Sequence, residues 1–154
     1  MHTYFHSPVI FVKDIEISKR FYSEILDQET EHDFGKNVLF KSRLSLWQVL
    51  PEHEIGQVTV SPSKGNTMEL YFETLDIQKS YKTIVECGCR MLHELKTESW
   101  GQKTFRFFDP DGHLIEIGES LKTFIGRIYR ETSSIMETAL RTGVDESTIK
   151  TLIG

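Results

Sequence analysis

The chain has 154 residues, 38% of them hydrophobic and 27% charged, with a net charge of −5. That length supports one core of ordinary size, and the composition is that of a soluble globular protein rather than a disordered or membrane chain. No basic stripe marks a nucleic-acid surface, and no apolar run approaches the roughly 20 residues of a membrane span. Met1-His2-Thr3-Tyr4 lacks the basic segment and apolar stretch of a secretory signal. Cys87 and Cys89 stand one residue apart, which fits neither a disulfide framework nor a zinc knuckle. Reduced thiols in a cytoplasmic protein are the expectation.

In chain order, residues 5–12 are β-branched and aromatic and predict a strand. Asp14 is a good N-cap for a helix over Ile15–Leu26, with Ile17, Phe21 and Ile25, beside Tyr22 and Leu26, as its apolar stripe. Short strands follow over 29–34 and 38–41, joined at Gly35-Lys36-Asn37, and over Leu44–Gln48. Residues 49–66, with Pro51, Gly56, Pro62 and Gly65 among polar neighbours, read as a linker. The order then repeats. A strand over Met68–Thr74 precedes a helix over Asp76–Gly88, with Ile77, Tyr81, Ile84 and Val85 on one face, and strands near 90–96, 103–108 and 113–118. Sliding the sequence on itself by 62 positions sets Asp14 on Asp76, Ile15 on Ile77 and Ser18 on Ser80. Past residue 118, Leu121, Phe124, Ile125, Ile128 and Tyr129 form a helical stripe. Ile135, Met136 and Leu140 predict a second helix ended by Gly143, and Asp145 caps a last one carrying Ile149, Leu152 and Ile153. The expected fold class is α+β: two tandem βαβββ units, 3–48 and 67–119, joined by linker 49–66 and followed by a helical extension over 120–154.

Two stretches carry a family resemblance. One is Val9-Ile-Phe-Val-Lys-Asp-Ile-Glu, with Ser18 and Phe21-Tyr22 after it. The other is Trp100-Gly-Gln followed by Phe105-Arg-Phe-Phe-Asp-Pro-Asp-Gly-His-Leu-Ile-Glu-Ile. Asp109-Pro110-Asp111-Gly112 is by itself an ordinary turn sequence; its place between an aromatic strand and the strand bearing Glu116 is informative. Over residues 5–119 the chain resembles the vicinal-oxygen-chelate superfamily, which includes glyoxalases, bleomycin-resistance proteins and extradiol dioxygenases. The resemblance implies a domain over 1–119 with a cup-shaped mixed sheet, outer helices, a ligand in the concave face and a homodimer. Enzymes of the superfamily hold a Lewis-acid metal there, usually through His or Gln, Glu, His and Glu on successive key strands.

Carried over position by position, that ligand set is depleted. The first ligand falls on Ser7, seven residues before Asp14, and the second on Leu46 or Trp47, with Gln48 nearby but off register. The third falls on Glu69, seven before Asp76, and the fourth on Glu116. No cofactor is therefore expected; a divalent metal, if one binds, would use Glu69 and Glu116. Strand parity puts Glu69 and Tyr71, Leu114 and Glu116, and Arg106 on the face away from the helices. Arg106 there would neutralise Glu69 or Glu116, or hold an anionic ligand. Trp47 and Trp100 offer flat apolar walls or simple packing, and His113 reads as a solvent-edge residue.

Three functions compete. The first is a metal-free binder of a small, partly aromatic molecule, using Trp47, Gln48, Glu69, Tyr71, Trp100, Arg106 and Glu116. The second is a lyase, isomerase or dioxygenase with an unorthodox Glu69/Glu116 site and Glu116 as catalytic base. The third assigns Ser133–Ile153, with Thr142-Gly143-Val144-Asp145 between helices, to a helix-turn-helix. Only Arg141 and Lys150 stand there against Glu137, Asp145 and Glu146, so phosphate contact is disfavoured and packing on the domain or across a dimer is expected.

Overall fold

The computed structural model describes residues 6–52 and 69–154, which group into two compact units. The first holds residues 6–52 and the turn Asp109–His113; the second holds 69–108 and 114–154. Residues 53–66 of the predicted linker, Met68 and Phe5 lie outside the described residues.

The first unit runs β1 (Val9–Phe11), α1 (Ile15–Arg20, continuing as a π-helical turn over Phe21–Ile25), β2 (Thr30–Asp33), β3 (Asn37–Phe40) and β4 (Ser45–Trp47). Its sheet order is β1-β4-β3-β2, with β1 and β4 parallel and the other pairs antiparallel. The second unit repeats this with β5 (Glu69–Thr74), α2 (Ile77–Glu86), β6 (Arg90–Thr97), β7 (Lys103–Phe108) and β8 (Leu114–Glu119), in the order β5-β8-β7-β6. β5 and β8 are again the parallel pair. The duplicated βαβββ pattern is thus present strand for strand.

Asp14 and Asp76 cap α1 and α2 by accepting backbone N–H groups of the first turn, as their equivalence under the 62-residue shift requires. The buried stripe of the first helix differs from the expected one. Ile15, Ser18, Phe21, Tyr22 and Leu26 are buried, whereas Ile17 faces solvent. The π-helical turn adds a residue to the local repeat, which lets adjacent Phe21 and Tyr22 both reach the core beneath Phe40. On α2, Ile77 and Ile84 are buried and Tyr81 stacks edge-on to Phe105, but Val85 is exposed.

The turn Asp109–His113 is clasped by the first helix. Ser18 Oγ donates to Asp111 Oδ2 at 2.8 Å, Lys13 N–H donates to Asp111 Oδ1 at 3.0 Å, and the buried Tyr22 hydroxyl donates to Asp109 Oδ2 at 3.0 Å. Asp109 also accepts the backbone N–H groups of Asp111 and His113, and Gly112 takes φ +91°. His113 is no bare solvent-edge residue: its Nδ1 lies 2.8 Å from Asp109 Oδ2. That contact raises the imidazole pKa, against the opposing effect of its burial.

Three helices close the second unit: α3 (Leu121–Thr132), α4 (Ile135–Thr142) and α5 (Glu146–Ile153), capped by Ser120, Ser134 and Asp145. Phe124, Ile125, Ile128 and Ile149 form their core, with Ile135, Ala139, Val144, Leu152 and Ile153 against it. Met136 and Leu140, two of the apolar residues that predict this helix, are exposed; Thr138 and Thr142 occupy the inward face of α4. Their hydroxyls donate to carbonyls one turn back, so the polar groups are satisfied within the helix. Gly143 ends α4 in the left-handed conformation at φ +71°.

Candidate binding site on the second sheet

Arg106 stands at the centre of the second sheet, opposite Glu116 on β8 and His93 on β6. Its guanidinium engages three carboxylates. Nε donates to Glu69 Oε2 at 3.0 Å, Nη1 donates to Glu98 Oε1 at 2.9 Å, and Nη2 pairs with Glu116. Nη1 also lies 3.3 Å from His93 Nε2. His93 Nδ1 in turn sits 2.8 Å from the Glu94 carbonyl, so Nδ1 carries the proton and Nε2 accepts. The residues expected by strand parity, Glu69, Arg106 and Glu116, therefore meet on one face, and Arg106 pairs with both carboxylates rather than one.

Burial orders the cluster. The Glu116 side chain is 5% exposed, Glu98 11%, Arg106 19% and Glu69 36%. Burial pushes the Glu116 carboxyl above its ordinary range and neighbouring Glu69 and Glu98 push the same way, while Arg106 opposes them. Glu98 is held below the ordinary range: burial alone would raise it, but Thr104, Arg106 and Lys96 together outweigh that effect.

Tyr71, two residues along β5 from Glu69, lies beside this cluster and is half exposed. Its hydroxyl accepts from Gln102 Nε2 at 3.0 Å, and Trp100 Nε1 donates to Gln102 Oε1 at 3.0 Å. Gln102 Nε2 also donates to the Glu119 carbonyl at 2.7 Å. Gly118 permits this arrangement, because a Cβ there would fall 2.9 Å from the Tyr71 hydroxyl. Glu98, His93 and Gln102 were not singled out from sequence. Gln102 at least lies in the Trp100-Gly-Gln motif; Glu98 and His93 sit after or within a strand whose pairing register shifts twice, which hides their parity.

Trp47 and Gln48 belong to the first unit. Trp47 contacts Phe11 with ring centroids 6.0 Å apart, as packing on a β1–β4 pair would give. Gln48 Oε1 accepts from Ile15 N–H at 2.9 Å and from Lys36 Nζ at 3.1 Å, a role in tying α1 to its sheet. A pocket of about 360 Å³ lies beside them, lined by Lys36, Trp47, Gln48, Leu50 and Glu52.

The register corrects one position of the ligand set. Glu116 pairs with Tyr71, two residues beyond Glu69; in the first unit Ser45 pairs with Val9, two beyond Ser7. Ser45, not Leu46 or Trp47, is therefore the counterpart of Glu116, and its hydroxyl lies 3.5 Å from that of Ser7. Leu46 is fully buried on the opposite face.

A family model for the glyoxalase-like domain matches residues 5–122. Among solved structures, a protein of unknown function from Agrobacterium tumefaciens str. C58 is 35% identical, with a TM-score of 0.65 over 79% of this chain and 97% of that one. A member of the glyoxalase/bleomycin resistance protein/dioxygenase superfamily from Sphaerobacter thermophilus DSM 20745 is 26% identical, with a TM-score of 0.56 over 77% and 98% of the two chains. A lactoylglutathione lyase from Agrobacterium tumefaciens shares the fold at 17% identity, with a TM-score of 0.57 over 78% of this chain and 96% of that one. No curated protein sequence matches the chain significantly. The chain belongs to the glyoxalase-like domain family and, with it, to the vicinal-oxygen-chelate superfamily.

The superfamily's metal does not fit the residues present. Ser7 and Ser45 hold two of the ligand positions, and neutral hydroxyls are poor donors beside the usual imidazole and carboxylate. Glu69 and Glu116 hold the other two, but their shared neighbour is already a cation, the Arg106 guanidinium. A divalent ion bound there would have to displace it. Among the described residues no helix is long and apolar enough to cross a membrane.

Proposed function

We propose that this protein binds a small organic molecule without a metal, on the face of the second sheet around Arg106. The observation that supports it is the guanidinium set between Glu69, Glu98 and Glu116, where members with a metal centre would need open carboxylates. With three carboxylates already around one guanidinium, the face has acceptor capacity to spare and little donor capacity. A ligand bearing an amine or hydroxyl donors beside a ring suits it better than an anionic one, with Tyr71 and Trp100 as the flat flanking groups. The working assembly in this proposal is a cytoplasmic homodimer, which light scattering would check. Isothermal titration calorimetry against matched panels of aromatic amines and aromatic carboxylates, with and without a chelator, tests the binding. Expected is chelator-insensitive binding confined to the amine panel. Stoichiometric metal in purified protein, or binding abolished by chelation, would overturn the proposal.

One observation favours a second reading, a lyase, isomerase or dioxygenase-type enzyme. Glu116 is buried and that burial pushes its carboxyl upward, a perturbation of the kind that acid–base sites carry. Loss of turnover in Glu116→Gln, for any substrate that emerges from an activity screen, would support this reading; turnover unchanged by the substitution would discard it.

A further inference from the structure

The family match ends at residue 122, in the first turn of α3, yet the next turns of that helix reach back to the loop that builds the site. This loop, Glu98–Gln102, joins β6 to β7. Glu98 N–H donates to the Gln102 carbonyl and Gly101 N–H to the Glu98 carbonyl, both at 2.8 Å. Gly101 takes φ +94°, and a Cβ there would lie 3.4 Å from the Phe124 ring and 3.9 Å from Ile128 Cδ1, so the loop rests directly on α3.

Arg127 of α3 fastens it. Its Nε and Nη2 donate to the two carboxylate oxygens of Glu119 at 3.0 and 2.7 Å, a bidentate fork. Nη2 also donates to the Gly101 carbonyl at 2.7 Å. Glu119 Oε2 accepts Lys103 N–H at 2.9 Å, where the loop re-enters the sheet. One side chain thus holds the loop at its apex and, through Glu119, at its exit. The site-facing side of the same loop supplies Glu98 to Arg106, Trp100 to Gln102, and Gln102 to Tyr71.

We infer that Arg127 is a positioning residue for the Arg106 site, and that the C-terminal helices are a brace that sets the Glu98–Gln102 loop against it. This deepens the binding proposal and takes the Arg106 face as the site, but the test below uses no ligand. α4 and α5 contribute by anchoring α3 through the Phe124, Ile125, Ile128 and Ile149 core.

The test takes the full chain in a Trp47→Phe background, which leaves Trp100 as the only tryptophan of the two. Arg127→Gln, Arg127→Lys and Glu119→Gln are compared by Trp100 emission, by acrylamide quenching, and by the Arg106 Nε–Hε cross-peak in ¹⁵N spectra. The Ile149 δ1 methyl resonance reports whether the helices remain packed. Arg127→Gln is expected to shift Trp100 emission to the red, increase quenching and move the Arg106 cross-peak, with the Ile149 methyl unmoved. Lysine keeps the charge without the fork, so Arg127→Lys should recover only part of the effect. Unchanged Trp100 and Arg106 signals in a packed Arg127→Gln protein would overturn the inference. If that variant loses its helical packing, Glu119→Gln decides the matter, since it keeps an acceptor for Lys103 while weakening the fork: a moved Arg106 cross-peak supports the brace, and an unmoved one refutes it. Stoichiometric metal would end the metal-free reading and leave these spectra to be judged on their own.

Discussion

Replacing Arg106 by leucine removes the one cation that, among the described residues, contacts Glu69 and Glu116 together. Breaking a fully buried ion pair from one side costs about 3–5 kcal/mol, because the remaining charge is left unpaired. Here the terms differ by carboxylate. Glu69 is exposed enough for water to replace much of the lost contact, leaving about 0–1 kcal/mol. Glu98 keeps Lys96 at 3.3 Å and the Thr104 hydroxyl at 2.9 Å. The penalty therefore falls on Glu116, and with Arg106 itself partly solvated we expect about 2–3 kcal/mol in total near neutral pH. For a chain of this size that corresponds to a Tm lower by about 4–12 °C. The deficit carries a pH signature. Glu116 in the variant is a buried carboxyl with its folded pKa raised above the unfolded value of about 4.3, so its penalty is absent below that pH. The penalty grows as pH rises through the folded pKa. Calorimetric unfolding of Arg106→Leu and wild type at about pH 5 and about pH 7 should show the gap widening with pH, and the double variant Arg106→Leu/Glu116→Gln should regain much of the loss. No deficit, or one independent of pH and untouched by the second substitution, would refute the reasoning.

Three further outcomes follow from other contacts. Tyr22→Phe removes the buried hydroxyl that donates to Asp109, a bond to a charged acceptor worth about 1.5–3 kcal/mol, and should lower the denaturation midpoint accordingly. His113→Ala should cost most at acid pH. The imidazole pKa is raised in the folded state, so its contribution is full below the unfolded value of about 6.5 and is lost as pH rises through the folded pKa. Urea midpoints of that variant and wild type should accordingly converge from about pH 6 to about pH 9. Gly118→Ala places a methyl against the Tyr71 hydroxyl and Gln102 Nε2; both are ends of side chains that can swing away, so about 1 kcal/mol and a shifted Tyr71 ring resonance are expected, without loss of fold.

Most of this architecture could be read from residue order because the signals are local. Asp14, Asp76 and Asp145 announce helix starts through short-range capping, and Gly143 ends α4 because it takes a left-handed turn without strain. Parity along β5, β7 and β8 placed Glu69, Arg106 and Glu116 together because those strands are regular. Where regularity fails, the reading failed with it. The π-helical turn moved the stripe of the first helix off Ile17, and the register shifts of β6 hid His93. Glu98 reaches Arg106 only through a loop path set by Gly101 and Arg127, contacts that spacing cannot encode. The counterpart of Glu116 was ambiguous for a related reason: the turn over Lys41–Arg43, with Arg43 at φ +73°, fixes the register of β4 one or two residues from where counting put it.

The two copies of the βαβββ unit also explain why Arg106 and the carboxylates belong together. In the second, Glu69 and Glu116 face Arg106, which is the cross-strand partner of Glu116. At the matching places in the first stand Ser7, Ser45 and Leu39, the last being the cross-strand partner of Ser45. The first set is uncharged and needs no counterion, so an apolar residue opposite Ser45 costs nothing. The second sets two carboxylates on neighbouring strands, and the guanidinium that pairs with both offsets their mutual repulsion. That cation is covalently part of β7, directly across the strand from Glu116. Cation and carboxylates thus act as one unit within the second half of the duplication, and changing the arginine alone leaves Glu69 and Glu116 without the guanidinium that pairs with both.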